Sequence, residues 1–430
     1  MGRQRKTRRL VCVFLLIMMV LGIIFAVTFA IVNMTNLEEE HLPEMKLYLN
    51  GTTLTDIYEH GKEVKYEGNK LLLIDGEKNW DVEGVEIKGR GNMTWNQIKK
   101  PLSIKLPEKV GLAEMSKSRK WYLLANKLDD SSLRNDLSFY LAREIGMKYV
   151  MQGKFVELSV DDEWQGLYYL TTPVRIGKQL VDLRDEDAIL VEFDKAYCEQ
   201  EDYYYQTKEN NCLAAKDVIN DDRKEKLLLD FGKQFEKLEK AINAKDYERI
   251  KELIDVKSFA EYAVLNTFVM NPDGFFTSFY MYRDGDGKIY AGPVWDFDGA
   301  FGNRSWWGKN VPASMYAPRN FMSRRERALS EGEQSLSKTM YYLVDMPEFQ
   351  EEMRMIYVNM LAGKNDEMME YINVQVKKMR EVAIEDNEKW KKGDFDEETV
   401  YLKWWIEERF QLFDEIFRGE MLIPIDELGA

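Results

Sequence analysis

The chain reads as an α+β protein of two lobes, β-rich first and mostly helical second, preceded by one membrane-spanning helix. Three observations predict this. Segments of strand character fill the sequence to about residue 180 with one helical segment among them. Helical segments fill the remainder to residue 430 with one hairpin among them. Ahead of both, Leu10–Val32 runs 23 residues without a charge, enough to cross a bilayer as a helix.

The elements follow in order. Residues 1–9 form a basic tail with Arg3, Arg5, Lys6, Arg8 and Arg9 and no acid. The apolar run at 10–32 exceeds the core of a cleaved signal peptide, and no small-x-small site follows it, so a retained signal anchor is expected. Its basic flank belongs in the cytoplasm, which makes this a single-pass protein of the cell membrane with its main domain outside. Residues 33–45 read as a linker, 46–180 as the β-rich lobe and 181–430 as the second lobe.

In the first lobe Met45–Leu49, Leu71–Ile74, Val85–Lys88, Pro101–Leu106 and Trp121–Ala125 are short apolar or alternating runs, hence strands. Ser131–Ile145 carries Leu133, Leu137, Tyr140, Leu141 and Ile145 at helical spacing, with Ser131 or Ser132 as N-cap. Phe155–Val160 and Gly166–Leu170 flank the turn Asp161-Asp162-Glu163 as a hairpin, and Ile189–Phe193 is another strand. In the second lobe Asp222–Asn243 and Tyr247–Ile254 have amphipathic spacing, and Ser258–Met270 is apolar throughout. Ser335–Phe417 is mainly helical, its aromatic and methionine stripes serving as core.

Composition removes several kinds of chemistry. A net charge of −15 disfavours nucleic acid as a partner. Histidine occurs only at His41 and His60, and cysteine only at Cys12, Cys198 and Cys212. A serine–histidine–acid triad, a cysteine protease and a His/Cys zinc site are therefore disfavoured, leaving carboxylates, lysine, arginine and a bound metal. Outside the membrane Cys198 and Cys212 either bridge a short acidic, tyrosine-rich loop or stand as unpaired thiols. Asn33, Asn50, Asn92 and Asn303 fit the N-x-Ser/Thr glycosylation pattern.

The most informative stretch is Met270–Gly302. Phe279–Arg283 and Lys288–Val294 flank Asp284-Gly285-Asp286-Gly287, a strong turn signal. A hairpin brings its ends together, so Asp273 before it and Asp296 and Asp298 after it are expected within a few ångströms of one another. Clustered carboxylates repel unless a cation or proton lies between them. The pattern points to a divalent-metal site beside a catalytic acid or base. Asp284 and Asp286 lack the later glutamate of a calcium loop and read as a plain turn.

Several blocks in order carry a family resemblance: GRGNMTW (89–95), KKPLSIKL (99–106), WYLLANKLDDSSLRNDLSFYLAREIG (121–146), EWQGLYYLT (163–171), NPDGFFTSFYMYRDGDGKIY (271–290) and PVWDFDGAFGN (293–303). From about Ile87 to Gly302, with a weaker echo beyond, the chain resembles the CotH kinase family of atypical, spore-coat-associated protein kinases. The resemblance implies a two-lobed kinase-like fold that binds ATP with Mg2+ or Mn2+ and phosphorylates serine or threonine of surface, secreted or spore-coat proteins, a serine-rich protein being the expected acceptor. It implies Asp273 as catalytic acid/base, Asp296 as main metal ligand and Asp298 as a second ligand or structural acid.

Ser278 occupies the metal-holding position where the family pattern has asparagine, and one hydroxyl is a poorer ligand than an amide carbonyl. The alternative is therefore a weak or inactive kinase-like surface protein that binds a protein or cell-wall partner. For the nucleotide, Gly89 and Gly91 would let backbone N–H groups approach phosphates, with Arg90 and Arg134 as possible contacts. Lys105 is the phosphate-pairing candidate, with Glu144, ahead of Asp136, as its helical partner. Lys216 is a rival lysine, and Thr171–Val174 falls at the hinge position.

Overall fold

The structure is a computed structural model and describes residues 41–308, 310–314, 340 and 342–418. The expected membrane span at 10–32 lies outside the described residues. Among those described, no helix is long and apolar enough to cross a membrane. From Pro43 onward the chain forms one compact unit.

Seven strands of the first half close into a barrel, which the sequence reading did not anticipate. They are β1 (Glu44–Tyr48), β2 (Tyr66–Asp75), β3 (Lys78–Gly89), β4 (Leu102–Val110), β5 (Ser118–Leu124), β6 (Gly153–Val160) and β7 (Glu163–Thr171), in the order β1-β2-β3-β4-β5-β7-β6. Neighbours are antiparallel except β1 and β6, whose parallel pairing, Glu44 opposite Glu157 to Leu47 opposite Val160, shuts the barrel. Closure removes both sheet edges.

The alternation that marked these strands fills the interior. Met45, Leu47, Leu71, Leu73, Ile87, Ile104, Trp121, Leu123, Leu158 and Leu170 are all buried in one core. The expected turn at Asp161-Asp162 is a two-residue one with both φ angles positive, 50° and 62°, which suits the twist of the flanking strands.

A second, five-stranded sheet follows, in the order β12-β11-β8-β10-β9. It comprises β8 (Ile189–Phe193), β9 (Tyr204–Gln206), β10 (Cys212–Val218), β11 (Phe279–Arg283) and β12 (Ile289–Ala291). β12 is shorter than the run Lys288–Val294 suggested, ending where Gly292 and the cis-linked Pro293 break the ladder. Strand β10 was not anticipated. Its sequence CLAAKDV is short and low in β-branched residues, and it pairs because β8 and β9 flank it.

The helices expected from spacing are present, with 335–339 of the last stretch outside the described residues, and Leu54–Glu59 and Arg304–Trp307 were not anticipated. In chain order they include α1 (Leu54–Glu59), α2 (Arg134–Ile145), α3 (Lys224–Asn243), α4 (Tyr247–Leu253), α5 (Val256–Phe268), α6 (Arg304–Trp307), α7 (Pro347–Ile356), α8 (Asn365–Trp390) and α9 (Phe395–Arg418). Helix α5 is apolar along its length because it is enclosed; Phe259, Ala263, Leu265 and Phe268 are fully buried. Helix α9 docks on its end through Arg409, whose guanidinium donates to the Thr267 and Phe268 carbonyls at 2.6 and 2.8 Å. Helix α8 is tied to the barrel where Asp386 accepts the Leu167 N–H at 2.9 Å and the Lys99 ammonium at 2.6 Å. The sequence placed the N-cap of α2 at Ser131 or Ser132. Instead Asp129 takes that work, accepting the backbone N–H groups of Ser131 and Arg134 at 3.0 Å each, since a carboxylate offers two oxygens to the turn.

Candidate active site

The acid-bearing segment threads between α5 and α2, and asparagines hold it there. Asn271 accepts the Asp273 N–H at 3.2 Å and donates to the Asp296 carbonyl at 3.2 Å, joining the two ends of the β11–β12 hairpin. Asn135 of α2 accepts the Phe297 N–H at 3.0 Å and donates to the Asp298 carboxylate. Asn303 donates to the Asp298 carbonyl at 2.6 Å and the Leu128 carbonyl at 2.8 Å. With its side chain spent and the residue fully buried, Asn303 is closed to the glycosylation its sequon suggested.

The backbone here is strained. Met270, Phe275, Ser278, Asp296 and Phe301 all have positive φ, between 51° and 67°. Such conformations in residues with a Cβ persist only where surroundings over-determine them, and they gather at functional sites.

Asp296 and Asp298 come together. Burial raises the pKa of Asp296; the Arg90 charge and the Ser278 hydroxyl, 3.3 Å from its Oδ2, work against this, while Asp194 adds to it. Burial, then the charges of Asp296 and Asp129, push Asp298 up to about 7. Asp273 does not join them around one point. Among the described residues, no three His, Cys, Asp or Glu side chains converge closely enough to hold a metal ion. Residues 271–278 coil through successive turns, with Phe276 and Thr277 N–H both on the Asp273 carbonyl.

The pair itself suits a divalent ion. A nucleotide-bound Mg2+ takes one or two protein carboxylates and completes its shell with phosphate oxygens and water. Two adjacent carboxylates, Asp298 buried and Asp296 half-buried, both held toward their neutral form chiefly by desolvation, fit that demand.

Arg90 acts on both acids, and a second cation, Lys216, is held in the neighbouring sheet. Arg90 follows β3, its guanidinium 4.1 Å from the Tyr122 ring centre and 5.7 Å from that of Trp295. Burial opposes ionisation of Tyr122, but the charges of Lys120, Arg90 and Arg175 outweigh it and lower its pKa. From the second sheet, Lys216 on β10 lies 2.9 Å from Glu192 on β8 and 2.6 Å from Glu201. Burial pulls the Lys216 pKa down, yet the two glutamates hold it above the ordinary lysine range. Glu192 is raised by burial despite Lys216, with Asp194 adding to the shift. Tyr280, opposite Glu192 in the ladder, is held well above the tyrosine range by burial and by the charges of Glu192 and Tyr122. Asp194, unremarked in the sequence although it ends a strand, accepts the Thr277 hydroxyl at 2.8 Å and the N–H groups of Ala196 and Tyr197 at 2.9 and 3.0 Å.

Several expectations need correcting. Lys105 does not meet Glu144. It stands half exposed on the outer face of β4, 3.6 Å from Glu86, because alternation turns it away from the core while Ile104 and Leu106 turn inward. Glu144 pairs instead with Lys364. Asp136, its rival, is buried beneath the hydroxyls of Tyr169 and Tyr371, each at 2.8 Å.

Gly89 and Gly91 answer to packing. A Cβ on Gly89 would lie 2.3 Å from the Trp95 ring, one on Gly91 2.3 Å from the Thr94 hydroxyl, and the Arg90 N–H between them is spent on the Pro101 carbonyl. Arg134 is fully buried, bridging Asp129 and Glu398 and donating to the Ala300 carbonyl at 2.8 Å; it braces the segment after Asp298 from behind. Cys198 and Cys212 are bonded, with Cα atoms 5.9 Å apart, and staple the loop after Asp194 to the strand that carries Lys216.

No curated protein matches the chain. The family model described as CotH kinase protein matches residues 87–413, from the end of β3 through the acid segment into α9. That span is most of the sequence and holds every group assembled above, so the chain belongs to the CotH kinase family.

Proposed function

We propose that the protein is an ATP- and divalent-metal-dependent kinase that transfers the γ-phosphoryl group to serine or threonine of a surface, secreted or spore-coat protein. The observation that carries this reading is the adjacent Asp296/Asp298 pair, desolvated and acted on by the charge of Arg90, with the Lys216–Glu192 ion pair in the sheet whose β11–β12 hairpin leads into it. Asp296 and Asp298 would hold Mg2+ or Mn2+, which when bound neutralises charge on the transferring phosphoryl group. Arg90 and Lys216 offset the remaining phosphate charge. Asp273 takes the proton of the acceptor hydroxyl.

Among the lysines proposed from sequence, Lys216 is the better supported, because it sits with its glutamate in the sheet that leads into the acid segment. Anchoring by residues 10–32 and an extracytoplasmic position for the domain belong to the same proposal, on the strength of the uncharged run behind five cations.

One observation favours a second reading, a weak or inactive kinase-like surface protein that binds a protein or cell-wall partner. The hydroxyl of Ser278 is turned to Asp296 and offers the metal no amide oxygen. The full chain incubated with labelled ATP, Mg2+ or Mn2+ and a serine-rich acceptor separates the two. Label on acceptor serine or threonine, lost in Asp273→Ala and in Asp296→Ala, supports the kinase. Nucleotide binding without transfer supports the second reading, and release of free phosphate alone defeats both.

A further inference from the structure

The outer rim of the barrel carries a concentration of positive charge that the proposed chemistry does not use. One cavity of about 500 Å³ is lined by Lys109, Lys117, Arg119, Lys120, Arg175 and Lys178, with Asp217 as its one acid. An adjoining cavity of about 780 Å³ shares Lys109, Lys117 and Gln179 with it and adds Lys78 and Glu114. Both acids are already taken: Asp217 lies 3.3 Å from Arg175, and Glu114 lies 2.5 Å from Lys78. Lys109, Lys117, Arg119, Lys120 and Lys178 form no ion pair among the described residues. The chain as a whole carries 75 acids against 60 cations, so this excess runs against its own composition.

The rim is also built rather than loose. Gln179 accepts the Lys117 N–H at 2.8 Å and Gln152 accepts the Ser116 N–H at 2.7 Å, fixing the β4–β5 loop against the segment that leaves β7 and against the start of β6. Like charges held this close repel one another in the absence of an anion, and an anion placed among them relieves that repulsion. Because the two cavities share lining residues they form one continuous basic surface, which suits an extended chain better than a single small anion. They also lead to the site. Lys120 lies 5.3 Å from the ring of Tyr122, the ring over which Arg90 sits.

We propose that this groove binds the already phosphorylated stretch of a serine-rich acceptor, so that each transfer improves the acceptor for the next. The inference rests on the kinase reading. In each turn the serine oxygen forms a bond to the γ-phosphorus, the bond from that phosphorus to the β–γ bridging oxygen breaks, ADP leaves, and the hydroxyl proton passes to Asp273. The product is a phosphoserine of charge near −2 at neutral pH, and several in series make the polyanion that the groove lacks.

The test uses a labelled serine-rich peptide in two forms, unmodified and carrying several phosphoserines, with the full chain and its Lys117→Glu/Lys178→Glu variant. Fluorescence anisotropy reads binding without turnover. Steady-state transfer with both forms reads KM for peptide and for ATP. The native chain should bind the phosphorylated form about tenfold or more tightly than the unmodified one, with the advantage shrinking as salt rises. The variant should lose that advantage while keeping its circular dichroism spectrum, its affinity for the unmodified peptide and its KM for ATP.

Equal binding of the two forms by the native chain overturns the proposal, as does an advantage that survives in the variant. A raised KM for ATP in the variant assigns the groove to the nucleotide instead. Tight binding of inorganic polyphosphate with no preference between the peptides assigns it to an anionic polymer. Absence of transfer with the phosphopeptide preference intact defeats the kinase reading alone, because the anisotropy arm needs no catalysis.

Discussion

The barrel and the acid segment solve opposite problems. In the barrel, inward side chains are aliphatic or aromatic and fully enclosed, and the left-handed residues Ala113, Glu114, Asp161 and Asp162 sit in the loops that join neighbouring strands. Between Met270 and Phe301, five non-glycine residues hold positive φ, of which Met270, Phe275 and Phe301 are fully enclosed, and two neighbouring carboxylates lie with them, Asp298 buried and Asp296 half-buried. Each such conformation costs on the order of 1–3 kcal/mol, and the buried charges cost more. The barrel stabilises; the segment spends that stability on aiming polar groups. Substitutions in the two regions should therefore move different observables.

The largest effect is expected from Asp296→Asn set against Leu123→Ala. Removing a half-buried, desolvated carboxylate that Arg90 only partly offsets should leave the melting temperature unchanged or higher, while phosphoryl transfer falls by roughly a thousandfold or more, as for loss of a metal ligand. Leu123 is fully buried in the barrel, so its truncation should cost about 2–5 kcal/mol and leave the turnover of the folded fraction intact. Parallel calorimetry and transfer assays decide it. If Asp296→Asn unfolds the protein, or Leu123→Ala abolishes turnover in folded material, the division of labour is wrong.

Lys216→Met comes next and tests whether the ion pair is scaffold or site. Transfer should fall about a hundredfold through loss of a phosphate contact, and stability should fall as well because Glu192 is left buried and unpaired. Adding Glu192→Gln should restore the melting temperature and not the rate. Recovery of both would make the pair purely structural. A smaller effect, about tenfold to a hundredfold in rate, is expected from Asn135→Leu, which leaves the carboxylates present but frees Phe297 and Asp298 from α2. An unchanged rate there would show that Asn135 does not position Asp298.

The same contrast explains what could be read from the sequence. The barrel strands were legible one by one, because period-two alternation reports burial directly. Their closure was not, since the parallel pairing of β1 with β6 joins segments more than a hundred residues apart and leaves no local mark. Asp296, Asp298 and the β11–β12 hairpin were legible from turn chemistry. The placement of Lys105 and Lys216 was not, because it depends on which face of a strand meets its neighbouring sheet, and a strand pattern alone does not say where its outer face lies. Gly89 and Gly91 misled for a related reason: a glycine can mark a phosphate contact or a close-packed indole, and only the position of Trp95 distinguishes them.

The smallest effect sharpens the comparison from outside the site. Glu239 on α3 is a buried acid whose carboxyl, like that of Asp298, is pushed to about 7, chiefly by burial; hydrogen bonds from Asn211 and Thr207 at 2.6 and 2.9 Å oppose the shift. It serves only to hold the loop between β9 and β10. Because its folded pKa is raised, the folded protein stays protonated while the unfolded chain ionises, so stability declines as pH climbs from about 4.5 to about 7 and the loss is complete above that. Glu239→Gln keeps the one oxygen that accepts both hydrogen bonds and removes the titration. The variant should match the native protein at pH 4, exceed it by up to about 3 kcal/mol at pH 8, and phosphorylate at the native rate at both. Denaturant titrations at the two pH values read the first part and transfer assays the second. An equal stability difference at pH 4 and 8 would remove Glu239 as the titrating group, and a lost rate would mean that this buried carboxylate belongs to the chemistry after all.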